Sequence, residues 1–186
     1  MAEVYLFDML HAVGDGLRGP IITQLNGYFK QLHGAGGPLM RCWWWRWDPE
    51  PSGMDILVYF VPFGKSVVRK LYPNAPSPIS GHDGLTTGKN PRASEVYVKT
   101  SDPDILAKLT FHEIMHMKLR MGNEMHDLRG LASAVVTDKT NLSKDNIRLM
   151  AKALRTQVDQ WTGGIQIMAQ TIAASSAGDP LSDILE

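Results

Sequence analysis

The chain has 186 residues with 19 basic and 19 acidic side chains, so its formal net charge is zero. That balance offers no draw toward nucleic acid or an anionic membrane, and the length fits one domain with its own hydrophobic core. The single cysteine, Cys42, excludes an internal disulfide and a cysteine-based metal cage. No segment reaches the apolar length of a membrane span, and the N-terminal residues lack the basic start of a signal peptide. The expectation is a cytoplasmic chain with one domain over residues 1–175, a flexible tail over 176–186, and neither nucleic acid nor membrane as partner. Export without a leader stays open, as does the oligomeric state.

In chain order, Glu3 to Met9 is a short apolar run that reads as a first strand. His11 to Arg18 carries two glycines and reads as a loop. Pro20, taken as a first-turn proline, then opens a helix from about Gly19 to His33 whose buried face is Ile21, Leu25, Tyr28, Phe29 and Leu32. The run Gly34 to Pro38 stops it. Leu39 to Trp47, with Trp43, Trp44, Trp45 and Trp47, and Met54 to Phe63 are two strand-like runs that could pair as a hairpin. The tryptophans, with Arg41 and Arg46 nearby, suit a stacking surface for sugar or nucleic acid, but zero net charge favours plain packing. Gly64 to Tyr72 reads as a short helix or turn. Pro73 to Arg92 is dense in Pro, Gly, Ser and Asn and reads as a long loop, with His82 and Asp83 as residues that could hang over a cleft.

Ser94 to Thr100 alternates and is rich in β-formers, so it reads as a strand. Asp102 as N-cap and Pro103 at the first helical position start a helix over Pro103 to Met121, with Asp104 near its positive end. This helix carries Phe111-His112-Glu113-Ile114-Met115-His116. Histidines four apart project from one helical face one turn above each other, so both imidazoles can hold one ion. Glu113 between them is placed to take a proton from water activated by that ion. This is the HExxH arrangement of zinc hydrolases. Ile105, Leu109 and Leu119 continue the histidine side as an apolar stripe. Gly122-Asn123 is expected to end the helix with a left-handed glycine.

A catalytic zinc needs a third protein ligand. On a continuous helix His126 would lie about 15 Å beyond His116, out of reach. With a turn at Gly122-Asn123 it can come back at the start of a second helix, Glu124 to Val136. His126 is therefore the leading third ligand. Asp127 and Glu124 are oxygen alternatives, and Asp127 is otherwise a partner for the spare N–H of a ligating histidine. Downstream, Thr137 to Asn141 reads as a loop and Ser143 to Trp161 as an amphipathic helix facing the core through Ile147, Met150, Leu154, Val158 and Trp161. Ile165 to Ala174 reads as a further helix. Asp145 and Asp159 read as surface residues.

His112, Glu113, His116 and His126 make the chain resemble the zincin metallopeptidases. The order strand–helix–strand–strand–edge strand–HExxH helix is similar to the N-terminal half of the metzincins. Metzincins have glycine three residues after the second histidine and a ligand three later, where this chain has Leu119 and Gly122. A third histidine on a following helix is similar to small SprT-like zincins, so the family stays unassigned. The resemblance implies an α+β single-domain zincin-like fold with a small mixed sheet, an active-site helix and a helical C-terminal part. Ser94 to Thr100 would be the edge strand that holds an extended peptide. A methionine turn beneath the metal would draw on Met121, Met125 or Met168, although core packing is the simpler role for each. The function implied is Zn2+-dependent hydrolysis of peptide bonds, with Tyr97, His82 and Arg129 as oxyanion candidates. The alternatives are an amidase acting on a non-protein substrate such as cell-wall peptide, and a noncatalytic zinc-bound or aromatic-surface binding protein.

Overall fold

A computed structural model describes residues 3–46, 55–62, 84–86 and 93–156. Trp47, the Gly64 to Tyr72 segment, His82, Asp83, Val158, Asp159, Trp161, Met168 and the tail lie outside the described residues. Strand β1 is Val4–Phe7, helix α1 is Asp15–Gly34, and β2, β3, β4 and β5 are Cys42–Trp44, Ile56–Pro62, Gly84–Thr86 and Ala93–Val98. Helix α2 spans Pro103–Leu119, two short 3-10 turns cover Asn123–Asp127 and Gly130–Ala132, and helix α3 occupies 144–156. The fold is mixed α and β in one small domain.

The five strands lie in the order β2-β1-β3-β5-β4. The first four run parallel, and β4 alone is antiparallel, on the edge beside β5. The hairpin expected between the tryptophan run and Met54 to Phe63 does not form, because β1 lies between them and pairs in parallel with both. The 20-residue α1 joining β1 to β2 is the crossover that parallel pairing requires. Complete burial of β1 agrees with a strand covered on both faces. The edge strand is also not where the sequence placed it. Ala93–Val98 is internal, between β3 and β4, and the edge falls to three residues within the expected Pro73 to Arg92 loop.

Alternation sorts the strands into two faces. Val4, Leu6, Ile56, Val58, Phe60 and Val96 join one core with α1 and α2. On α1 the residues buried are Ile21, Leu25, Tyr28, Phe29 and Leu32, the expected set. The Tyr28 and Phe29 rings lie 5.0 and 5.8 Å from the Phe111 ring of α2. The helix begins at Asp15, earlier than expected, so Pro20 sits in its second turn instead of its first. Pro20 is exposed there, on the side where water can satisfy the backbone carbonyl that proline cannot bond.

The tryptophans divide in the way packing predicts. The Trp44 ring lies 5.2 Å from Phe60 under the Arg18 guanidinium, and its indole N–H donates to the Arg18 carbonyl at 3.0 Å. Trp45 packs 5.1 Å from Phe7 on the opposite face. Trp43 departs from that packing, being exposed, and its indole N–H donates to Glu3. No helix among the described residues is long and apolar enough to cross a membrane.

Candidate metal centre

Helix α2 starts as its sequence dictates. The Asp102 carboxylate accepts from the Asp104 amide at 2.9 Å and the Ile105 amide at 3.4 Å, and Pro103 follows the cap. Every residue from Leu106 to Met115 is buried, so the helix passes through the interior and carries His112 and Glu113 with it. Lys108 is buried too. Its ammonium pairs with Asp104 at 2.6 Å and donates to the Asp138 carbonyl at 2.6 Å, while Gln24 of α1 donates to Asp104 at 2.7 Å. The buried charge thereby ties α1, α2 and the 137–138 segment together.

The helix ends at Leu119, two residues short of the expected Met121, and the residue that ends it is not Gly122. Arg120 takes the left-handed conformation, φ 55° and ψ 38°, whereas Gly122 has φ −83°. The reversal at Arg120 brings the Met121 carbonyl back over the last turn, where it lies 2.8 Å from Nδ1 of His116. The expected second helix, Glu124 to Val136, is replaced by the two 3-10 turns. The second of them opens on Gly130, at φ +74°, which is locked in place. A Cβ there would lie 2.5 Å from Asn146 Oδ1 and 2.7 Å from the Asn141 carbonyl. The following carbonyl, that of Leu131, lies 2.6 Å from Nδ1 of His112.

These two carbonyls decide the chemistry. A carbonyl only accepts, so each Nδ1 carries the ring proton and each neutral imidazole turns its Nε2 lone pair the other way. The two Nε2 atoms are 3.1 Å apart, and Nε2 of His116 is 3.2 Å from Nε2 of His126. With both rings neutral, as metal binding requires, the approach of His112 to His116 is lone pair against lone pair. A cation at their centre relieves that repulsion. Ligands held at about 2.0–2.1 Å in a tetrahedral zinc site stand roughly 3.3–3.4 Å apart, close to what these nitrogens show. The three histidines are the one group of metal-binding side chains among the described residues. Burial holds His116 below the ordinary histidine pKa, against the Met121 bond, and His126 pushes the same way. The neutral form that binds metal is therefore favoured.

The oxygen alternatives do not join the cluster. Asp127 is exposed. Glu124 is exposed as well, and its carboxylate accepts from the amides of Glu124 and Gly122, which lowers its pKa. Of the oxyanion candidates, Tyr97 is completely buried on the sheet face opposite Val96, and its hydroxyl donates to Glu95 at 3.3 Å. That face points away from α2. Arg129 is exposed and contributes its backbone carbonyl to Asn146. Met125 is fully buried in the turn that carries His126, and Met121 supplies a carbonyl to His116.

Two features beside the cluster carry no periodic signal in the sequence. Asn146, wholly buried, donates to the Arg129 carbonyl at 2.9 Å, while Ser143 and Asn146 cap the start of α3 reciprocally. The Ser143-x-x-Asn146 spacing at a helix start could have revealed the cap, though not the bond to Arg129. The second feature is β4, whose Thr86 hydroxyl donates to Glu113 Oε2 at 2.6 Å. No protein-family model matches the chain, and no curated protein matches it either.

Proposed function

We propose that the chain is a zinc-dependent metallopeptidase with His112, His116 and His126 as metal ligands and Glu113 as general base. The observation that carries this reading is the convergence of three imidazole Nε2 atoms, two with their protons fixed on Nδ1 by backbone carbonyls, on a helix with glutamate between the first two histidines. His112, His116 and His126 would hold zinc with one protein ligand fewer than a closed structural site, as catalytic zinc sites do. Zinc held by these three residues would supply Lewis-acid polarisation and make water acidic enough to lose a proton near neutrality. Glu113 takes the proton of the attacking water and returns it to the leaving amine. Among the described residues the short antiparallel strand beside Glu113 is the last of the sheet, which supports a peptide as substrate, since an extended chain can add to such an edge by main-chain bonds. Metal analysis and peptide turnover on five variants test the reading. His112→Ala and His116→Ala are each expected to lose the one zinc per chain. Glu113→Gln should keep zinc and lose roughly a hundredfold or more in kcat. Wild-type turnover by Glu113→Gln would end the hydrolase mechanism. His126→Ala should weaken zinc binding far more than Asp127→Asn, and the reverse order would hand the third position to the aspartate.

A further inference from the structure

We infer that strand β4 is the cradle of the general base, with Thr86 as its positioning residue; this rests on the proposed role of Glu113. The register of β4 against β5 pairs Gly84 with Val96 and Thr86 with Ser94. Val96 faces the core shared with α2, so Gly84 and Thr86 face that helix as well. Both then meet the same side chain. The Thr86 hydroxyl stands 2.6 Å from Glu113 Oε2 and 3.2 Å from the Glu113 backbone carbonyl. A hydroxyl has one proton, and the shorter, charge-assisted contact takes it.

At Gly84 the other carboxylate oxygen rests against the backbone. A Cβ there would stand 2.3 Å from Glu113 Oε1 and 2.5 Å from its carboxyl carbon. A side chain at this position would push the Glu113 carboxyl aside. One oxygen is gripped by a donor and the other is confined by bare backbone, so the carboxylate is held in one orientation before substrate arrives. Holding a reacting group within a fraction of an ångström of its working position is worth large factors in rate, and a 1 Å misplacement costs about a hundredfold. Thr86 acts through Glu113 and not on substrate.

The test compares full-length, zinc-reconstituted wild type with Thr86→Val, Thr86→Ser, Gly84→Ala and Glu113→Gln. It measures zinc content, kcat and KM on a fluorogenic peptide mixture, and crystal structures of wild type and Thr86→Val. Thr86→Val keeps the shape of threonine without its donor. It should retain one zinc and a KM within about twofold, while kcat falls between about tenfold and a hundredfold. Thr86→Ser should recover most of that loss, and Gly84→Ala should lose kcat with zinc retained. In the Thr86→Val crystal, Glu113 should have turned from its wild-type orientation. A Thr86→Val enzyme with wild-type kcat, a serine variant no better than valine, or an unmoved Glu113 overturns the inference. If wild type cleaves no peptide, the hydrolase reading fails. The Glu113 orientation in the two crystals then still decides whether Thr86 holds that carboxylate.

Discussion

At Arg120 the backbone adopts a left-handed conformation that costs an L-residue roughly 1–2 kcal/mol, in the position where helices usually place glycine. The chain bears that cost two residues before a glycine that makes no left-handed step, since Gly122 has φ −83° and ψ −134°. The contrast gives a prediction. Arg120→Gly relieves the strain but orders a more flexible residue, for a net gain of about 0.5–1 kcal/mol, or roughly 1–4 °C in Tm by calorimetry. Gly122→Ala removes no left-handed step and should leave zinc affinity close to wild type. A large loss of zinc affinity in Gly122→Ala would restore Gly122 as the residue that turns the chain back toward the site. The error has a physical source. Glycine after a periodic run is a good guide to a left-handed cap, but when a tertiary contact fixes the turn, here the Met121 carbonyl against His116, an arginine can be held there instead.

The turns between α2 and α3 place the carbonyl that fixes the tautomer of His112, and they do so through a short chain of contacts. Asn146 at the start of α3 holds the Arg129 carbonyl, Gly130 makes the left-handed step, and Leu131 then presents its own carbonyl to His112. Gly130→Ala puts a methyl group within 2.5–2.9 Å of three atoms that have nowhere to go, and Asn146→Ala removes the donor to Arg129. Each is expected to weaken zinc binding by about 10–100-fold without touching a ligand, as losing a partner behind a ligating histidine does. A chelator competition titration measures it. Variants that melt earlier yet bind zinc with wild-type affinity would make these turns scaffold only. The histidines themselves were legible in the sequence because helical geometry converts a four-residue spacing into one site. What stands behind them was not, because every residue has a carbonyl and nothing in a sequence marks which one faces a ring nitrogen. Thr86 was hidden for a related reason. It lies 27 residues from Glu113 on a three-residue strand, too short for any alternation to show.

Across the whole molecule, β1, α1, β3, β5 and α2 were legible because each is long or apolar enough to impose its own period, whereas pairing was not. The tryptophan run and the Ile56–Pro62 strand looked like hairpin partners by proximity alone. A 20-residue helix between β1 and β2, and a first strand apolar on both faces, were the signs of a parallel sheet. That architecture makes a last prediction about the metal. The core of sheet, α1 and α2 closes without an ion. Phe111 packs on Tyr28 and Phe29, and Lys108 joins α2 to Asp104 and to the Asp138 carbonyl, with Gln24 of α1 on the same carboxylate. The three histidines, by contrast, lie within fifteen residues, so an ion held there links α2 only to the turn that follows it. Removing zinc with a chelator should therefore leave the chain folded, with its far-UV circular dichroism retained. Zinc at a hundred times its Kd adds about 2.7 kcal/mol by mass action, which for a chain of this size raises Tm by roughly 5–11 °C. A chain that unfolds on chelation would show that the ion is part of the fold, as in small zinc-dependent modules. The proposed role of the ion in a reaction would then lose its support. A chain that stays folded and regains its Tm on adding zinc back holds the ion as an occupant of a site the protein builds by itself.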